Sequence, residues 1–281
     1  MKRGRRGTAC AVAVGLVVPI GLAASSGPAA AQKGTIKATP DRAPREQRAA
    51  TRLARSFAAK PRQVRRAAFS ALPPFSNPAA ISTRRLAGFP RQGGSFGILS
   101  SGDATDAGKK NNTPDHSTSL GGPSVRGARD VTILRVELRI PKNANCLSLR
   151  FKFLSEEFPE YVDAQYNDAF IAELGSSDWS TFSKEDPRVE APNNFAAGPE
   201  GRLITVNEQG DTSVRQNHAK GTIYDGATPV LRASTRVRPG RRELLYLSIF
   251  DQGDREFDSS VFLDHLVLAK RSECETGAIV D

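Results

Sequence analysis

The sequence predicts a mainly β protein, an antiparallel two-sheet sandwich or jelly roll with a short N-terminal helix. Three observations carry that prediction. From Ile81 onward, short β-branched and aromatic runs alternate with clusters of Gly, Pro, Asn and Asp. The clearest run, 131–140, places Ile133, Arg135, Glu137 and Arg139 opposite Leu134, Val136, Leu138 and Ile140, the period of two of a half-buried antiparallel strand. No segment between the runs is a helix long enough for a βαβ crossover.

Taken in order, residues 1–31 read as a secretory signal peptide. Lys2, Arg3, Arg5 and Arg6 open it, an apolar stretch follows from about Ala9 to Ala24, and small residues precede cleavage after Ala31. A membrane anchor is the alternative, but Gly15, Pro19 and Gly21 interrupt a stretch already short of the ~20 residues a span needs. Arg5 and Arg6 form a twin-arginine pair that does not by itself distinguish the two export routes. Residues 32–46, with two prolines and no apolar periodicity, are expected to be a basic disordered linker. A helix follows over 47–60, with Ala50, Leu53, Ala54, Phe57 and Ala58 on one stripe and Pro61 as its stop.

A strand is expected at 64–69, then a loop marked by Pro73, Pro74 and Pro78. Further strands are expected at 96–99, 131–140, 147–154, 169–174, 203–206, 230–237, 243–250 and 261–269. Residues 175–202 and 207–228 read as long loops, and 271–281 as a C-terminal tail after a domain spanning 47–270.

With 281 residues, 38% of them hydrophobic and 25% charged, the chain is too ordinary to be collagen-like, wholly disordered or multi-span. Its net charge of +10 is unevenly spread: +4 over residues 1–31, +11 over 32–90 and −5 over 91–281. A basic arm on an acidic body argues for contact with an anionic envelope and against nucleic acid as the partner.

Cys10 leaves with the leader, and the mature chain keeps Cys146 and Cys274. In an oxidising compartment these two are expected to pair, joining residues beside the starts and ends of neighbouring strands. The other reading is two buried thiols.

Several motifs suggest chemistry. Gly93-Gly-Ser95-Phe-Gly97 matches the hydrolase elbow G-x-S-x-G, but it leads into a strand within a β-rich region, where turn glycines explain it. His116, His218 and His265 are scattered, so neither a catalytic base nor a zinc set is recognisable. Glu156 and Glu157 are adjacent and would point to opposite faces of a strand; only a pairing with Asp168 or Asp264 could serve a glycosidase. Trp179, the single tryptophan, sits on an expected loop and is a candidate sugar-stacking residue, with a core plug as the alternative.

Carboxylates gather at predicted strand ends: Glu156, Glu157, Asp168, Asp251, Asp254, Asp258 and Asp264. Glu157, Asp168 and Asp264, from three separate segments, are expected to converge with Asn167 or with the turn holding Asp251 and Asp254. All of these ligands are oxygen, which suits Ca²⁺. The competing reading is that they cap turns and accept backbone N–H groups.

Ile98-Leu-Ser-Ser-Gly-Asp103, Leu120-Gly-Gly122, Phe151-Lys-Phe-Leu-Ser-Glu-Glu-Phe-Pro-Glu-Tyr161-Val and Tyr166-Asn-Asp168-Ala-Phe170 occur in that order. They are followed by Ile249-Phe-Asp-Gln-Gly-Asp254 and Phe257-Asp-Ser-Ser-Val-Phe-Leu-Asp264. This set resembles the choice-of-anchor L family over about residues 48–270. The resemblance implies a β-sandwich ectodomain of exported bacterial proteins, without established enzymatic activity and with an adhesive or surface role. The segment after Ala269 carries no hydrophobic tail or sorting motif, which departs from the family's anchored pattern. The expected function is a secreted or cell-surface, non-catalytic binding or adhesion module for an envelope polymer or glycan. A structural envelope or matrix protein is the alternative, and a β-sandwich glycoside hydrolase the third.

Overall fold

The computed structural model describes residues 34–39, 45–113, 115–183, 185–208 and 210–281. The expected leader and most of the expected linker lie outside the described residues. Among those described, no helix is long and apolar enough to cross a membrane.

The strands are β1 (Ile36–Ala38), β2 (Val64–Ala71), β3 (Ala79–Ser82), β4 (Phe96–Ser100), β5 (Arg129–Arg139), β6 (Cys146–Ser155) and β7 (Ala169–Leu174). They continue with β8 (Ser180–Thr181), β9 (Val189–Glu190), β10 (Ile204–Thr205), β11 (Gly226–Ala227), β12 (Leu231–Arg236), β13 (Arg242–Asp251), β14 (Ser259–Ala269) and β15 (Gly277–Val280). Among the described residues, one α-helix, α1 (Arg45–Ser56), precedes β2.

An eight-stranded antiparallel sheet runs β1-β3-β4-β14-β6-β12-β15, with β11 pairing β6 beyond the end of β12. A five-stranded antiparallel sheet runs β10-β7-β13-β5-β2, and β8 with β9 forms a small hairpin. The two large sheets share one apolar core. Leu147, Leu149, Phe151 and Phe153 of β6 meet Leu134, Val136 and Leu138 of β5, Phe170 of β7 and Leu245 and Leu247 of β13. The Phe151 and Phe170 rings lie 4.9 Å apart between centroids. The predicted alternation of β5 is realised: Leu134, Val136, Leu138 and Ile140 enter this core while Arg135 and Arg139 face solvent.

Two smaller apolar clusters cover outer faces. Leu86, Phe89, Phe96, Ile98, Leu154, Tyr224 and Phe262 form one. Val131, Ile133, Ile171, Trp179, Val189 and Phe250 form the other, over the five-stranded sheet. Helix α1 and the residue just beyond it bury Ala50, Leu53, Ala54 and Phe57 in the main core. Phe57 lies so close to Gly97 that a β-carbon there would stand 2.7 Å from the ring.

Two expectations are corrected. Residues 36–38, assigned to a disordered linker, form β1 on the edge of β3, and Thr39 donates its N–H to Ala79 O at 2.8 Å. The segment 271–281, expected to be a C-terminal tail after the domain, contains β15, which pairs with β12 through four register partners. Both are edge strands, stabilised by a neighbour's ladder more than by their own residues. The Cys146–Cys274 disulfide is present, with Cα atoms 5.7 Å apart, and it ties the first residue of β6 to the segment that leads into β15.

Candidate functional site

β6, β7, β13 and β14 run antiparallel, and at one end of the molecule their termini bring carboxyls together. Just beyond β6 stand Glu156 and Glu157; Asp168 precedes β7, Asp251 ends β13 and Asp258 precedes β14. All five are buried, Glu157 at 1% exposure and Asp168 at 0%. Asp168 Oδ1 accepts the Gln252 N–H at 3.0 Å, and Asp258 Oδ1 accepts the Thr118 N–H at 2.7 Å. Glu156 Oε2 receives the His116 N–H at 3.4 Å. Glu156 Oε1, Glu157 Oε2, Asn167 Oδ1 and Gln252 Oε1 have no hydrogen-bond partner, while Asp168 and Asp251 lie within reach of each other and of the Ser259 and Ser101 hydroxyls, respectively.

Burial decides the charge state here. Desolvation, reinforced by Asp225, pushes Glu156 up to about 9. Desolvation also raises Asp168 and Asp258 to about 7, the former against an opposing hydrogen bond from Gln252 N–H and the latter against one from Thr118 N–H. Glu157 and Asp251 are driven well above the ordinary carboxylate range by burial first and by the charge of Asp168 second. His116, whose Nε2 stands 3.5 Å from Asp106 and 3.6 Å from Asp258, is shifted down because burial disfavours its cation. Asp130 is the exception in having a cation: it pairs with Arg255, whose other nitrogen donates to Gly122 O at 2.6 Å.

The six-residue calcium set does not assemble as expected. Asp168 and Asp254 are near enough to Glu157 to raise its proton affinity, and Asn167 is adjacent to Asp168 in sequence. Asp264 is elsewhere: its carboxylate accepts the backbone N–H groups of Arg91 at 2.5 Å, Gln92 at 2.8 Å and His265 at 2.6 Å. It caps a turn, because it sits where β14 breaks register between Asp264 and Val267 and faces the loop before β4. Among the described residues, no three His, Cys, Asp or Glu side chains are arranged to hold one metal ion.

Trp179 is likewise not a loop aromatic offered to a sugar. It is 1% exposed, stacks on Phe250 at 4.2 Å between centroids and donates its indole N–H to Ser248 Oγ at 3.0 Å. The hairpin of β8 and β9 folds it against the outer face of the five-stranded sheet, where its area stabilises more than exposure would allow. Ser95 donates its hydroxyl to Ser56 O at 3.0 Å, and Gly97 of the same G-x-S-x-G stretch makes room for Phe57.

The charge of the body differs from what its sum suggests. Residues 91–281 contain 28 carboxylates and 23 Lys or Arg. Ten of those carboxylates are buried, against Lys152 alone among the described cations. The outer shell therefore carries more cations than carboxylates. A linear charge count could not reveal this, because burial is a tertiary property.

No curated protein matches the chain. Among solved structures, one described as a crystal structure of the K2 cleaved adhesin domain of Lys-gingipain aligns with 72% of this chain and 79% of that one. The alignment has 10% identity and a TM-score of 0.22, too low to carry argument. A family model for the Choice-of-anchor L domain matches residues 67–267, from β2 into β14, and takes in every acidic segment described above. The chain belongs to the Choice-of-anchor L domain family.

Proposed function

We propose that this protein is a secreted or cell-surface binding module of adhesion type, without catalytic activity, whose partner is an envelope polymer or glycan. The observation that carries the reading is where the reactive side chains are spent. Glu157, Asp168 and Asp251 lie within the fold rather than in a cleft, and Ser95 and Trp179 are engaged in packing and hydrogen bonding. A glycosidase needs two carboxyls on either side of a substrate bond, and groups buried to this degree cannot flank one. Family membership and the disulfide support an exported setting.

Protons, rather than the calcium first expected there, are the neutralising partners of the carboxyls around Asp251, because burial raises their proton affinity.

The test is retention. Full-length protein should sediment with isolated cell-envelope material and release no reducing sugar from it. Glycan turnover, abolished by Glu157→Gln, would overturn the non-catalytic assignment.

A further inference from the structure

We infer that the end of the sandwich between α1 and the β5–β6 turn is a binding cleft for an acidic polysaccharide. This deepens the adhesion reading and rests on it.

The cleft follows from how the chain leaves α1. Beyond the helix, Ala58 pairs in parallel with Leu266, and Ala59 N–H donates to Leu266 O at 3.0 Å. The backbone then turns at Pro61 into a short 3₁₀ segment ahead of β2. That path holds residues 59–63 beside the last residues of β14 and across from the end of β5. A cavity of about 660 Å³ opens between them. Lys60 and Arg62 come from the connector, Arg139 from β5 and Lys270 from just past β14, with Pro141 and Val267 among the apolar lining. Both sheets therefore contribute.

Its charge is one-sided. Four cations line the cleft and no carboxylate does. Glu137, on the same outer face of β5 as Arg139, is already matched by Arg66 at 2.7 Å, Arg65 at 3.1 Å and Arg242 at 3.8 Å. These guanidiniums hold its carboxyl below the usual range, with the Arg66 hydrogen bond the main cause. Arg242 is the register partner of Arg139, so the cationic surface continues across β13. Among the described residues, Lys60, Arg62, Arg139 and Lys270 form no ion pair.

The shape and lining choose the class of anion. The volume falls in the ~300–1,000 Å³ range of small-ligand sites, enough for a few sugar rings. Apolar side chains between cations suit a pyranose, whose C–H faces pack while its acidic substituents are neutralised. No aromatic side chain lines the cleft to stack on bases, which disfavours single-stranded nucleic acid. Among the described residues, the exposed large apolar side chains, Phe75, Phe182, Ile279 and Val280, are not among its lining, so insertion into lipid is not provided for there.

The experiment measures binding of the full chain to immobilised polygalacturonate, to a glycosylated poly(glycerol phosphate), to neutral dextran, to duplex DNA and to anionic phospholipid vesicles. Binding to at least one acidic glycan and not to dextran is expected, weakening about tenfold or more between 50 and 200 mM salt as the contacts are screened. The two acidic polymers separate carboxylate from phosphodiester recognition. Arg139→Glu with Lys270→Glu should lower affinity at least tenfold without changing the melting temperature, since both residues are exposed. Arg139→Lys with Lys270→Arg should restore it. Arg188→Glu, outside the cleft, should change nothing. Equal binding by the charge-reversed variant overturns the assignment, as does equal loss of vesicle or DNA binding in that variant, which would make the cleft a general anion trap. Envelope retention that survives both high salt and charge reversal would leave the adhesion reading standing and the cleft refuted. Failure to bind envelope material or any polymer would refute both.

Discussion

The Asp258 carboxyl occupies the space where a side chain on Gly102 would begin; a β-carbon there would overlap it. Gly102 also donates its N–H to Ser100 Oγ at 2.9 Å. This contact packs the turn after β4 against the start of β14. Gly102→Ala should therefore destabilise by about 2–3 kcal/mol through overpacking, read as a lower urea midpoint with an unchanged slope. Adding Asp258→Ala should recover part of that loss, because the two positions are in contact and their effects will not add.

Stability should fall as pH rises. Glu156, Asp168 and Asp258 keep protons in the folded state that the unfolded chain, with carboxyl values near ~4, releases. Their stabilising contribution is fully present below that unfolded value. It is lost progressively as pH climbs through about 7 for Asp168 and Asp258 and about 9 for Glu156. The melting temperature at pH 5.5 should exceed that at pH 8.5 by several degrees, and Glu156→Gln should flatten the upper part of the curve. A melting temperature that rises with pH would contradict protonated carboxyls in the cluster.

Calcium offers a separate check on the same atoms. Burial raises the proton affinity of Glu157, Asp168 and Asp251, so protons rather than an ion are expected to neutralise the cluster. Millimolar Ca²⁺ at pH 8 should shift the melting temperature no more than Mg²⁺ does. A saturable, calcium-specific rise that disappears in Asp251→Asn would instead show that the unmatched oxygens close around a cation.

Trp179 is the only tryptophan, so intrinsic indole fluorescence reports on its packing alone. Its emission should be blue-shifted and resistant to acrylamide in the native state. Trp179→Ala should cost about 3–5 kcal/mol, and Trp179→Phe less, with neither change altering polymer affinity in folded protein. Solvent-like emission would return the residue to the surface.

The disulfide joins residues 128 apart in sequence, so in the chain-entropy view its reduction releases a large unfolded ensemble. Reduction should cost about 4–5 kcal/mol, a fall of about 10–20 °C in melting temperature for a domain of this size. Intact mass before and after reduction should differ by two hydrogens. Identical melts with and without reductant would limit the bond to a local role.

Much of this architecture is legible in the residues themselves, because it rests on local pattern. The alternation through Val136 and Leu138 marks β5, the stripe of Ala50, Leu53 and Ala54 marks α1, and Cys146 and Cys274 are the two cysteines beyond residue 31. What escaped depends on neighbours far away in the chain. Ile36–Ala38 has no periodicity of its own and becomes a strand because β3 presents an open ladder. Asp264 and Asp168 look alike as letters at strand ends, yet a register break in β14 turns one toward backbone donors while the other meets further carboxyls. The cationic cleft was hidden for the same reason: Lys60, Arg62, Arg139 and Lys270 are scattered in sequence, and the acids that outnumber them lie inside.

The Cys146–Cys274 bond also sets how the domain would bear tension. A pull applied at Asp281 would first peel β15 from β12, breaking ladder bonds one after another, and would release only residues 275–281 before reaching Cys274. From there the load passes through a covalent link into the start of β6, a strand held between β14 and β12. Further extension would have to shear those ladders together rather than unzip them singly, and shearing resists far more force. The edge of the sheet would then act as a short extensible leash, with the interior strands as its stop.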